Sequence, residues 1–407
     1  MHIALTRSQF VRWRTAIFAI FFASGLSIAT WASRVPSIAA ALEIDKAQIG
    51  LLLLCMGVSS IIGISTGPIV MARTGARLGM LIGMLMFGSG VALIGLGTDA
   101  LGSVPVVIVG LALFGFGNGS VDVMMNVEAT AIEQQMGRTI LPVFHAFFSF
   151  GTVIGAGIGA GAALLHLNVA THSGIIGVVI VAAAVVCFFQ VPVREAAAVA
   201  APAEKPSFGR RVHTALEAWR EPRTYALGVV MLGMSFAEGG ANDWIALGVV
   251  EGHGEAVGMG ALALTVFSVG MTLVRLFGGP LVDRFGRVAV LRVLAVAAAS
   301  GILLFILADP LPLVLLGAAL WGIGASLGFP LGMSAAADDP AKAAARVSAA
   351  ATIGYVAFLG GPPVLGMISE HIGLLNTLFI LVALVVMSGL FSSAAKPLRA
   401  EEPVLTK

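Results

Sequence analysis

The sequence predicts an all-α integral membrane protein of twelve transmembrane helices in two pseudo-symmetric six-helix bundles, and three observations carry the prediction. Hydrophobic residues make up 58% of the 407 residues and charged residues only 11%, a balance outside that of soluble domains of this length. Twelve stretches each offer the roughly 20 mostly apolar residues that a helix needs to span a bilayer. A charged, glycine-punctuated turn occurs once per half-chain, as Gly278-Gly-Pro-Leu-Val-Asp-Arg-Phe-Gly-Arg287 and, 211 positions earlier, as Gly67-Pro-Ile-Val-Met-Ala-Arg-Thr-Gly-Ala-Arg77.

The stretches fall at about 14–34, 47–71, 78–98, 104–130, 140–164, 172–191, 224–249, 257–281, 288–308, 312–335, 344–368 and 373–394. Barrel strands would alternate over about ten residues. Runs such as Val104 to Phe116 and Val293 to Leu307 are almost continuously apolar, so they are helices. Basic residues are retained on the cytoplasmic side during insertion. With both termini inside, only Arg34 and Lys46 of the 23 Lys and Arg residues fall outside. The expected arrangement is therefore a multi-pass membrane protein with both termini cytoplasmic. The segment before Arg34 lacks a small-residue cleavage site and reads as a retained first span. Cys55 and Cys187 lie inside apolar helices, where a disulfide framework has no role.

Between Pro192 and Arg223 the composition turns to Ala, Pro, Glu, Lys and Arg. This predicts an N-terminal bundle over 1–191, a cytoplasmic linker over 192–222 with a surface helix from about Phe208 to Trp219, and a C-terminal bundle over 223–407. A second repeat agrees, since Gly110-Leu-Ala-Leu-Phe-Gly115-Phe-Gly117 answers Gly317-Ala-Ala-Leu-Trp-Gly322-Ile-Gly324. Glycines crowd the fifth stretch (Gly151, Gly155, Gly157, Gly159, Gly161) and the eleventh (Gly354, Gly360, Gly361, Gly366), where they predict close helix approach, with sliding or bending as the further option.

Parallel six-helix repeats with a site at their interface resemble the major facilitator architecture, and the glycine cassette resembles that family's signature between the second and third helix of each half. Its residues here are Gly67, Arg73, Gly75 and Arg77 in the first copy, and Gly279, Asp283, Arg284, Gly286 and Arg287 in the second. Asp283 is expected to cap the next helix and the arginines to reach carboxylates or phosphates, in a clasp favouring the state closed to the cytoplasm. Ala72 stands where the first copy would carry its acid, so that clasp is expected to be weaker or differently made.

Ionisable groups inside spans are expensive, so each is a candidate for solute or proton binding. Asp122 and Asn126 stand four apart on one helix face, and counting helical rise puts His145 at a similar depth. The three are expected to form one polar cluster in which the carboxylate takes up and releases a proton, or else a polar knot that only fixes packing. Glu128, on another face, suits a surface or gate role. Glu238 and Asn242 repeat the acid-then-amide spacing within Phe236-Ala-Glu-Gly-Gly-Ala-Asn-Asp-Trp244, where Gly239 and Gly240 are expected to weaken the helix. Asp243 and Trp244 are expected nearer the outer interface as anchors. Arg34 binds an anionic solute, pairs with an acid such as Glu238, or snorkels outward, and Trp31 suits an aromatic wall.

Trp-Ala-Ser-Arg-Val-Pro (31–36), Asn126-Val-Glu128, Leu-Pro-Val-Phe-His (141–145), the 236–244 segment and Gly-Ala-Ser-Leu-Gly-Phe-Pro-Leu (324–331) resemble bacterial inner-membrane YbjJ-type facilitators. This resemblance implies a location in a bacterial-type inner membrane. A more distant resemblance is to fucose:proton symporters. It implies a sugar- and proton-binding role for Asp122-x-x-x-Asn126 and a sugar-contacting role for His145. That family's first-helix acid aligns with Ala32, and Glu238 is the expected substitute.

The expected function is secondary transport of a small solute by alternating access, with protons as coupling ion. Import of a sugar or other polar solute is one version, proton-driven efflux of amphipathic or toxic compounds the other, and a non-transporting receptor or scaffold the third option. No metal-spaced His or Cys pair and no phosphate loop occurs, so neither enzyme, metal nor cofactor is expected. The basic residues are spread rather than gathered, which argues against nucleic acid. The partners expected are the solute, protons and the lipid bilayer, and the chain is expected to be a monomer.

Overall fold

The computed structural model describes residues 6–136, 140–193, 218–338 and 343–398, and their regular structure is helical. The first half holds α1 (Arg7–Ala32), α2 (Val35–Leu42), α3 (Lys46–Gly95), α4 (Val104–Met136), α5 (Leu141–Leu164) and α6 (Val169–Gln190). The second holds α7 (Pro222–Leu247), α8 (Val257–Phe277), α9 (Gly279–Leu307), α10 (Leu311–Ala325), α11 (Gly328–Ala336), α12 (Ala343–Ile372), α13 (Leu374–Thr377) and α14 (Phe379–Phe391). Among the described residues, nine helices are long and apolar enough to cross a membrane. One of them, Lys46–Ala100, covers two of the predicted stretches. The predicted surface helix falls largely outside the described residues, as do Arg138 and Lys342.

Local chemistry sets the helix starts. Thr6 with Gln9, and Asp45 with Gln48, form reciprocal capping boxes at α1 and α3, and the Asn168 side chain accepts from Thr171 N at α6. The two long helices turn inside the glycine cassette. Gly75 in α3 has φ 76 and ψ 160, and Gly286 in α9 has φ 79 and ψ 157. That region is open to glycine and closed to most L-residues, so both copies use the same residue for the same turn.

Glycine also sets how closely α1 and α5 approach. A Cβ on Gly25 would collide with the carbonyl of Phe148, and one on Gly151 with the carbonyl of Phe22, so the two backbones lie in direct contact. Gly161 and Gly360 have open space instead, so they play no part in the close packing expected of their stretches.

The cassette's charges are arranged differently from the expectation. Asp283 is exposed and makes no hydrogen bond or ion pair among the described residues, so it does not cap the arm that follows the Gly286 turn. Arg287 instead reaches Asp338 just beyond α11, at 2.8 Å, and Arg223 at the start of α7 meets the same carboxylate at 2.9 Å. An acid on the adjoining element gives both arginines a shared partner that Asp283 cannot reach. In the first copy Arg77 stacks over Phe188, 4.0 Å from the ring centroid, and Thr74 to Leu78 line a cavity of about 280 Å³ together with Glu128.

The halves meet along two seams, α5 against α8 and α3 against α12. At the end opposite the termini the seam is tied by charge. Lys46 Nζ lies 2.9 Å from Glu251, and Lys46 N donates to Glu370 Oε1 at 2.7 Å. Gly50 lies against the backbone of Pro362 and Pro363 there. The Arg223 and Arg287 ion pairs at the termini end join residues of the second half, Arg346 pairs with Glu221 at the N-cap of α7, and none of these described pairs reaches the first half. This conformation is therefore clasped at the end remote from the termini, and the cassette's ion pairs form with the halves tied there.

Two measurements follow from these pairs. Part-exposed ion pairs of the Lys46–Glu251 kind contribute about 0.2–1 kcal/mol, so Lys46→Ala should lower the clasped population up to about fivefold. Electron–electron distance measurements between labels at the remote ends of α3 and α12 check it. Burial alone would raise the Asp338 carboxyl, but hydrogen bonds and charge from Arg287 and Arg223 outweigh it and hold it below its ordinary value. Its stabilisation is thus complete above the ordinary carboxylate range and is lost as pH falls through the lowered value. Asp338→Asn should lower thermal stability at neutral pH and flatten its acid dependence, read by unfolding scans across pH.

Candidate functional site

The site starts with how α4 spends its faces. Gly115 and Gly119 press on the backbone of Met56 and Ser60 in the first arm of α3, while Gly117 and Val121 press on Gly83 in the second arm. What remains is the stripe Asn118, Asp122, Asn126, spaced by four and turned toward α1, where Ser24 Oγ donates to Asn118 Oδ1. Asn126 Nδ2 donates to Asp122 O at 2.8 Å and approaches Asp122 Oδ1 at 3.4 Å. The acid–amide pair expected here is thus brought together. Asp122 is half-buried and meets no cation among the described residues. Asn118 belongs to the same stripe, and neither it nor its α1 partner Ser24 was among the expected residues. The four-residue spacing, extended one turn back from Asp122, would have found Asn118.

His145 does not join this stripe. The antiparallel seam pairs Leu164 with Gly258, Gly157 with Thr265, and Ser149 with Thr272, whose Oγ1 donates to Ser149 O at 3.4 Å. Continuing that register sets His145 against the last turn of α8. Its ring is exposed, stands edge-on to Phe21 at 5.2 Å, and feels the charge of Arg275 across the seam. His145 and Asp122 share no partner, because α5 turns this face to α8 rather than α4.

Arg275 is the residue that organises the second half of the site. Its Nη2 lies 2.8 and 2.7 Å from the two carboxylate oxygens of Glu238, with the side chains 19% and 18% exposed. Its Nε donates to Ser326 O at 3.0 Å. That carbonyl is free for a local reason, since its helical partner four residues on is Pro330, which has no N–H. The chain breaks there, between α10 and α11. The broken helix expected at Gly239 and Gly240 therefore occurs elsewhere, and α7 runs unbroken from Pro222 to Leu247, with Gly240 packed on Leu381. Asn242 Nδ2 donates to Glu238 O at 3.1 Å, and Trp321 Nε1 to Ala237 O at 2.8 Å. Arg275 was not among the expected site residues, although a basic residue within a span is itself a functional signal.

The remaining expected residues stand apart. Arg34 does not pair with Glu238, nor does it snorkel outward. It is 3% exposed and donates through Nη2 to Leu167 O at 2.6 Å, held at the α1–α2 junction. Trp31 is 4% exposed and belongs to the hydrophobic core. Trp244 is fully enclosed, which corrects its reading as an interfacial anchor. Glu128 is 5% exposed beside the first cassette, so burial rules out the expected surface role.

The Glu238–Arg275 pair has a measurable consequence. Removing one partner of a buried ion pair costs on the order of 3 kcal/mol because the other charge is left uncompensated. Glu238→Gln should therefore destabilise the fold more than Glu238→Gln with Arg275→Gln together, and a double-mutant cycle on thermal unfolding reads the difference.

Residues 16–264 and 244–406 match the Major Facilitator Superfamily. The chain is 31% identical over 363 residues to the uncharacterized transporter y4wD of Sinorhizobium fredii, covering 88% of this chain and 91% of that one. It is 30% identical over 381 residues to an uncharacterized MFS-type transporter of Yersinia pestis, covering 92% and 93%. The fold is similar to the nucleoside transporter NupG, with a TM-score of 0.71 at 16% identity over 95% of this chain and 99% of that one. It is also similar to the transporter FucP in its outward conformation, with a TM-score of 0.66 at 18% identity over 96% and 100%. Helical spans, paired cassette turns and these matches agree: the chain belongs to the Major Facilitator Superfamily, as a multi-pass membrane transporter and not an enzyme.

Proposed function

We propose that this protein is a secondary transporter that moves a small polar solute by alternating access, coupled to protons through Asp122. The carrying observation is that Asp122 is a half-buried acid inside a span whose one described hydrogen-bond donor is the neutral amide of Asn126. Such a group can change protonation without breaking an ion pair, which Glu238 cannot. Glu238, Asn242 and His145, with Arg275, then face the solute from the seam between the halves. Arg34 and Trp31, tied into the packing of α1 and α2, act on it through the shape of that end of the bundle.

Twelve spans complete this reading, with α3 and α9 each turning at the cassette and α7 and α12 supplying the seventh and eleventh spans. The bundles cover 1–191 and 223–407 and the linker 192–222. The basic residues support an inner membrane with both termini cytoplasmic, so the end clasped by Lys46 is the outer one. In this conformation the central space opens inward, with the second cassette's ion pairs formed; the expected state closed to the cytoplasm is the other end of the cycle. The YbjJ-type motifs support a bacterial facilitator of that kind. A nucleoside transporter and a fucose:proton symporter among the structural neighbours support a polar, hydroxyl-bearing solute.

A thermal-shift panel of sugars, nucleosides, amino acids and organic anions across pH identifies the solute class, because ligands stabilise the state they bind. In liposomes with an acid outside, Asp122→Asn should abolish pH-driven uptake of the compound so found while leaving its binding measurable. Undiminished proton-driven flux in that variant removes the coupling role of Asp122. Flux driven only in the opposite direction identifies an exporter, and no flux of any stabilising ligand identifies a receptor.

A further inference from the structure

Two acids stand in the last three turns of α7, and the structure treats them differently. Glu238 has both oxygens on Arg275, whereas Asp243 has no hydrogen-bond or ion-pair partner among the described residues. Asp243 is half-buried, next to Asn242, on a stretch otherwise made of the fully buried Ala241, Trp244 and Ile245. At this level α7 meets α1 and α2 of the other half. It is therefore placed just beneath the clasped outer end.

Among the described residues, no cation on the elements packed against α7 is available to Asp243. On α8, Arg275 is taken by Glu238 and Ser326 O. On α12, Arg346 pairs with Glu221, Glu370 accepts from Lys46 N, and His371 is exposed at the helix end. The turn after α7 carries Glu251, which holds Lys46, His253, whose Nε2 is bonded to Phe305 O at 2.8 Å, and Glu255. Arg7, Arg12 and Arg14 lie at the opposite end of α1, and Arg34, before α2, is bonded to Leu167 O. The segments α2, α10, α11 and α14 carry no ionisable side chain. Without a compensating charge, the ionised form of Asp243 depends on water, so its protonation follows the side to which the space between the halves opens.

We propose that Asp243 is the proton-exchanging acid of the second half, reached from the inner side while the outer end is clasped and from outside once α1 and α2 draw away from α7. This rests on the alternating-access reading above and moves the second coupling role from Glu238 to Asp243. Glu238 is left as a positioning residue that holds Arg275 at the seam.

Infrared difference spectra between acidic and alkaline buffer, recorded on the full chain in lipid nanodiscs, test it without a solute. A protonated-carboxyl stretching band should be present in the native protein, persist in Glu238→Gln, and lose one carboxyl in Asp243→Asn; Asp243→Ser is read the same way if the Asn variant does not fold. Spin labels across the outer seam supply the second readout, in a Glu251→Gln/Glu370→Gln background that removes the clasp's own titration. There the ratio of clasped to open populations should change at least threefold between the two buffers and become pH-independent when Asp243→Asn is added. A band or a pH response that survives Asp243→Asn unchanged overturns the assignment and leaves alternating access standing. An outer-seam distance fixed at every pH in every variant overturns the alternating-access reading on which it rests.

Discussion

In the interior of a membrane protein every charge and every freed carbonyl must find its partner within the chain, and the rest of this structure depends on how Arg275 meets that demand. One side chain neutralises Glu238 of α7 and takes the Ser326 carbonyl that Pro330 leaves without an N–H. It thereby ties three helices together at the point where the second half faces the first. The break between α10 and α11 is tolerated because Arg275 supplies the missing donor, and Glu238 is tolerated because Arg275 supplies the missing charge. Neither could persist alone at this depth.

The same demand separates the acids into two kinds. Asp338 and Glu238 are held by arginines and fix geometry, whereas Asp122 and Asp243 have no cation among the described residues. A paired acid is poor at exchanging protons, because each exchange would strand its partner. Unpaired acids inside the bundle are expensive to keep and free to titrate. Their position, one on the α1-facing stripe of α4 and one beneath the outer clasp, sets them in opposite halves of the space between the bundles.

The two glycine cassettes share a turn and differ in their latch. Gly75 and Gly286 adopt nearly the same φ and ψ, as a duplicated turn would. Arg287 then has Asp338, shared with Arg223, whereas Arg77 lies over Phe188 beside the cavity that Glu128 lines. The missing acid at position 72 matters less than the sequence suggested, since Asp283 in the intact copy engages no arginine either. What latches the second half is an acid just beyond the end of its fourth span.

Length, hydropathy and the glycine turns determined by themselves that the chain is helical, membrane-spanning and duplicated, because solvent choice and backbone conformation are properties of short segments. The Asp122–Asn126 pair was equally legible, since both ends of the contact lie on one helix turn. Partners across helices were not: His145 turned from Asp122 to the Arg275 seam, Arg34 took a carbonyl rather than Glu238, and the broken helix moved from Gly239 to Ser326. Each depends on the register and rotation of two packed helices, which spacing along one of them cannot fix. The sequence thus decided which residues would need partners, and only the tertiary structure decided which of them found one.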